Sequence, residues 1–97
     1  MTKKNFNYNY AFLFYDANEK RVQKIFKVCK KYLSHYQYSV FRGPITPSQL
    51  ILLRQELKRV MDKNEDFVCI VKLMNSQVFD EEILGNPHDA TGEDLII

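Results

Sequence analysis

The spacing of apolar residues changes period repeatedly along this chain, and the order of the changes restricts the fold more than any single motif. Residues 8–15 alternate: Tyr8, Tyr10, Phe12 and Phe14 share one face, and Asn9, Ala11, Leu13 and Tyr15 the other. A period of two marks a strand, and a second face that turns apolar toward Tyr15 marks a central one. From about 18 to 34, Val22, Ile25, Phe26, Cys29, Tyr32 and Leu33 recur at helical spacing and form one stripe to bury. Residues 35–42, HYQYSVFR, alternate again, and Gly43-Pro44 reads as the break, with a short edge strand or a bulged hairpin following around 43–46. TPSQ at 46–49 opens a second helix: Thr46 can cap, Pro47 suits the first turn and Gln49 can close a capping box. Leu50, Leu53, Leu57, Val60 and Met61 form its apolar face to about 62. Residues 67–74, FVCIVKLM, are a near-continuous apolar run, as in a strand covered on both faces.

Strand, helix, strand, weak strand, helix, strand is the order of an α+β, ferredoxin-like βαββαβ sandwich with both helices on one sheet face. The expected domain is 1–85, followed by a tail over 86–97. The sheet face away from the helices is also apolar and aromatic, so a second copy of the chain is expected to cover it in a homodimer. The closing LII calls for burial too, and a short C-terminal strand added to the partner's sheet would supply it.

Charge is unevenly distributed in these 97 residues. Residues 1–63 hold 13 basic and 4 acidic residues, a balance of +9, while residues 64–97 carry −7. A basic body attracts polyanions. Lys20, Lys24, Lys27 and Lys31 line up along the first helix, with Arg21 and Lys30 beside them. Like charges at that spacing cost helix stability, and a phosphate backbone would offset the cost.

Much chemistry is excluded. The chain has 3 Gly and no phosphate-cradling loop, no nucleophile elbow and no HExxH pattern. His35 and His88 lack neighbouring ligands, Ser39 lacks a base, and Cys29 and Cys69 lie inside apolar patterns without a CxxC, as buried thiols do. The N-terminus lacks the apolar core of a signal peptide and no apolar run is long enough to span a membrane, so a cytoplasmic location is expected. Asp16 remains, a lone carboxylate at the end of the first strand. It suits a helix cap, and it equally suits a hard-oxygen ligand for Mg²⁺, with a second Asp16 supplied across a twofold axis.

Four stretches, FLFYDANEKRVQKIFKVCKKY, QYSVFRG, ITPSQLILLRQEL and NEDFVCIVKL, resemble in order and spacing the CRISPR-associated Cas2 family, over roughly residues 8–73. The tail with ILG and the final LII also looks like that family's closing strand. The resemblance implies a homodimer seated between two Cas1 dimers in the spacer-acquisition integrase, carrying the middle of the prespacer DNA duplex. It further implies Mg²⁺-dependent endonuclease activity, on RNA or duplex DNA, in some members and a purely scaffolding role in others. Asp16 matches the shared metal ligand and the catalytic position, Arg21 a basic position at the helix start, and Phe41 the aromatic of the SVF strand. Lys20, Arg21, Lys24, Lys27 and Arg42 are the expected nucleic-acid contacts. The family often has Arg where His35 stands and an acid where Arg42 stands; the first departure weakens the nuclease reading and the second favours nucleic-acid contact. A VapD-like ribonuclease toxin is the alternative on the same fold.

Overall fold

The computed structural model describes residues 7–85. The elements are β1 (Tyr10–Asp16), α1 (Val22–Tyr32), β2 (Ser34–Gln37), β3 (Val40–Pro44), α2 (Pro47–Val60) and β4 (Phe67–Leu73). The strands form one antiparallel sheet in the order β2-β3-β1-β4, with β1 central. This is the ferredoxin-like sandwich that the period changes predict.

The period-two face of β1 works as read. Ala11, Leu13 and Tyr15 point into a core completed by Ile25, Phe26 and Cys29 of α1, Phe41 of β3, and Leu50, Leu53 and Leu57 of α2. Each large aliphatic or aromatic side chain so buried contributes about 1.5–3 kcal/mol. Burial also pushes the Cys29 thiol up to about 12, so it stays protonated and inert. Cys69, expected to be buried as well, is only half-buried, because it lies opposite Phe14 on the sheet face away from the helices. The two helices are tied at their surface by Glu56, which accepts from Lys31 Nζ (2.6 Å) and from the Tyr32 hydroxyl.

Helix α2 starts as its sequence dictates. Thr46 Oγ1 accepts from the Gln49 amide (3.1 Å), Gln49 Oε1 accepts from the Thr46 amide (2.9 Å), and Pro47 occupies the first turn. Helix α1 differs from expectation. It begins at Val22 rather than near 18, its N-cap is Arg21, and no side chain caps it. The residues before it form a turn instead: the Asn18 carbonyl accepts from the Arg21 and Val22 amides, and Asn18 Oδ1 accepts from the Lys20 amide (2.9 Å). Such local side-chain bonding competes with helix and delays its start.

The expected strand at 35–42 is two strands. The chain reverses at Tyr38 and Ser39, with Tyr38 at φ 47°. That conformation is uncommon for a residue with a side chain, so the sequence carries none of the Gly or Asn that flags such a turn. His35 Nε2 donates to the Tyr38 carbonyl across the turn (2.6 Å). A bulge between His35 and Gln37 resets the register, so that His35 pairs with Phe41. Gly43-Pro44 does not break the strand but ends β3, and no separate strand follows at 43–46. Proline is tolerated there because the ladder ends with it. After β4 the chain has no regular element to residue 85, although Phe79 returns to pack on Tyr10 and Phe12 (ring centroids 5.7 and 5.1 Å). The tail over 86–97 and its expected strand lie outside the described residues. Among the described residues no helix is long and apolar enough to cross a membrane.

Candidate nucleic-acid and metal site

Cross-strand partners share a face, so the register defines the sheet surface away from the helices. Tyr10 lies opposite Leu73 and Pro44, Phe12 opposite Val71 and Arg42, Phe14 opposite Cys69 and Val40, and Asp16 opposite Phe67. The surface is therefore an apolar, largely aromatic field. Its Asp16 end is the most open: Phe14 is 40% and Phe67 55% exposed, with ring centroids 6.3 Å apart. The opposite end is partly covered by Phe79.

Asp16 closes this row. Its carboxylate is exposed and, among the described residues, makes no hydrogen bond or ion pair. The helix it could have capped begins six residues later at Val22, without a side-chain cap. The two readings of Asp16 are thus separated, and the carboxylate is free to serve as a ligand. As a donor it fits Mg²⁺, which takes one or two carboxylates and fills its remaining positions with water and phosphate. One chain does not build a closed site: among the described residues no three His, Cys, Asp or Glu groups come together.

The cations expected to contact nucleic acid fall into two sets. Lys20, Lys24 and Lys27 are exposed, Lys20 in the turn before α1 and the other two along the helix. Lys31, further along, is held by Glu56. Arg21 and Arg42 hold carboxylates of the chain itself. Arg42 lies over the Tyr36 ring (4.2 Å to the centroid) and pairs with Glu81, whose carboxyl it pulls below the ordinary range. Arg21 donates from Nε to Asp66 Oδ2 (2.6 Å) and from Nη2 to Glu65 Oε1 (2.6 Å). The Arg21 guanidinium holds the Asp66 carboxyl well below its usual value, against the opposing effect of burial.

Asp66 is the structurally important acid that sequence reasoning passes over. In DKNED it reads as one more turn residue. Its position next to the first residue of an apolar strand is the available signal. The apolar run of that strand, β4, predicts cover on both faces, but β4 lies at the edge of the described sheet and has no fully buried residue. His35 lies in the aromatic cluster of Phe26 and Phe41, at 5.2 and 5.0 Å between ring centroids, and its Nδ1 has no partner among the described residues.

Fold and site together define a small ferredoxin-like domain with a bare carboxylate at the rim of an open aromatic sheet and with free lysines on and beside its first helix. The family model for CRISPR associated protein Cas2 matches residues 9–81. CRISPR-associated endoribonuclease Cas2 of Thermotoga maritima is 41% identical over 76 residues, 78% of this chain and 87% of that protein. CRISPR-associated endoribonuclease Cas2 2 of Moorella thermoacetica is 40% identical over 85 residues, covering 81% of this chain and 93% of that one. A solved crystal structure of Cas2 superposes with a TM-score of 0.76 at 32% identity, over 88% of this chain and 95% of the other. The chain belongs to the CRISPR-associated Cas2 family.

Proposed function

We propose that the chain works as a homodimeric Cas2 subunit of a spacer-acquisition complex, bridging Cas1 and carrying duplex DNA. In this reading a Mg²⁺-dependent phosphodiesterase activity is an accessory capability of the same dimer. The observation that carries the proposal is the position of Asp16: exposed, with a carboxylate that has no partner among the described residues, and at the end of an apolar surface that a second copy would cover. Apposition of two such surfaces would bring two Asp16 carboxylates toward one axis, supplying the second ligand that one chain lacks. A Mg²⁺ ion held there would polarise a phosphoryl oxygen and lower the pKa of a bound water.

The chain's own groups do the rest. Phe14 and Phe67 flank the carboxylate with apolar surface and exclude water from the seam. Lys20, Lys24 and Lys27 draw in the phosphate backbone without reading bases, so log affinity should fall linearly with log salt concentration. The relatives' endoribonuclease names support RNA as a second substrate besides duplex DNA, and we take it as single-stranded RNA.

Asp16→Asn tests the reading. Mg²⁺-dependent cleavage should fall to background, while dimer mass, duplex binding and Cas1-dependent spacer integration persist. Undiminished cleavage contradicts the catalytic assignment. Loss of integration by an intact dimer contradicts a scaffold that works without the carboxylate.

A further inference from the structure

We infer that Arg21 and Asp66 are positioning residues for the Asp16 carboxylate, and that Arg21 does not contact nucleic acid. The inference rests on the reading of Asp16 as a metal ligand.

Asp66 is the only buried charged residue among the described residues. Both its oxygens are saturated. Oδ1 accepts from the Asn18 amide (2.8 Å) and Arg21 Nη2 (3.2 Å), and Oδ2 accepts from Arg21 Nε (2.6 Å) and the Asp62 amide (2.8 Å). A buried carboxylate needs such a set, because an unpaired one would be strongly disfavoured. The lowered carboxyl agrees with the geometry.

The place of this clamp is what matters. Asp66 immediately precedes Phe67, and Phe67 is the cross-strand partner of Asp16. Asn18, which Asp66 grips, lies two residues beyond Asp16. The chain on one side of Asp16 is therefore fixed by the β1–β4 ladder, and the chain on the other side by Asp66. The Asp16 carboxylate has no hydrogen bond of its own among the described residues, so its place depends on the backbone that carries it. A strand end without such an anchor frays.

Arg21 supplies what the anchor needs. Its planar fork reaches both oxygens of Asp66 and also Glu65, a geometry that a lysine ammonium cannot reproduce. For Arg21 to bind phosphate, it would have to abandon a buried carboxylate. The free lysines beside it carry no such cost.

The test uses Mn²⁺ as the probe, titrated into the full-length protein and followed by electron paramagnetic resonance. Amide exchange at Asn18 and the salt dependence of duplex binding are measured alongside. Asp66→Asn and Arg21→Gln should speed exchange at Asn18 and weaken Mn²⁺ by about 10- to 100-fold, the usual cost of removing a group that orients a metal ligand. Neither should change the salt slope. Arg21→Lys should recover part of the Mn²⁺ affinity, and its retained charge opposite Asp66 secures a folded variant if the other two fail. Unchanged Mn²⁺ affinity in these variants, with loss in Asp16→Asn, overturns the positioning role alone. A salt slope lowered by about one in Arg21→Gln, with Mn²⁺ binding intact, makes Arg21 a phosphate contact and also overturns it. Unchanged Mn²⁺ binding in Asp16→Asn removes the ligand reading itself, and positioning falls with it.

Discussion

The two faces of the sheet are finished to different degrees. Toward the helices, Ala11, Leu13 and Tyr15 of β1 are buried in one continuous core with α1, α2 and Phe41. Away from them, Phe14, Phe67 and Val71 of β1 and β4 stand 40%, 55% and 42% exposed. The alternation of a single strand, β1, feeds both faces. The inner face accounts for why the chain folds. The outer face leaves apolar area in water, which isolated domains rarely do over a contiguous surface. Asp16 belongs to the outer set by register, so the candidate chemistry sits on the side that folding leaves open.

The largest effect should come from an inner-face change. Leu53→Ala should cost about 2–5 kcal/mol in denaturant unfolding, from lost burial plus a cavity. Phe67→Ala, measured at a concentration where the chain is a monomer, should cost far less. Equal costs would erase the distinction between the faces.

Acid sharpens the comparison next. The folded Asp66 carboxyl titrates below its unfolded value of about 3.9, so its contribution is present above that pH and is lost as pH falls below it. Glu56 and Glu81, also lowered, contribute with the same sign. The difference between wild type and Asp66→Asn isolates Asp66: the variant's unfolding free energy should decline less steeply between about pH 5 and pH 2. Parallel profiles would contradict the clamp.

The smallest effect should come from the pair that straddles the outer face. Arg42 and Glu81 are both partly solvated, and a double-mutant cycle with Arg42→Ala and Glu81→Ala should give about 0.2–1 kcal/mol. A coupling well above that would mean that residues after β4 hold the outer face closed.

How far the sequence could be read follows the same division. Helical and strand periods locate β1 and both helices, because core burial imposes those periods directly on residue type. Strand β4 shows as a continuous apolar run, but the burial on both faces that such a run implies is absent at this edge of the described sheet. The place of the β2–β3 turn was invisible, because both arms alternate and the turn uses Tyr38 at positive φ instead of glycine. Asp16 stood out as a lone carboxylate after an apolar strand, but its roles as cap and as ligand separated only when α1 proved to start at Val22. Arg21 looked like one cation among many. Its commitment to Asp66 spans 45 positions, and no local pattern records a pairing across that separation.

The most direct test of the account is sedimentation equilibrium of the wild-type chain and of Phe67→Arg, over micromolar concentrations and at moderate salt. The account predicts the mass of two chains for the wild type and of one folded chain for the variant, because a cation beside Asp16 would sit in the seam between the two sheets. A wild type that remains a single chain throughout, or a variant that dimerises as tightly as the wild type, would contradict the claim that the outer face is where two copies meet.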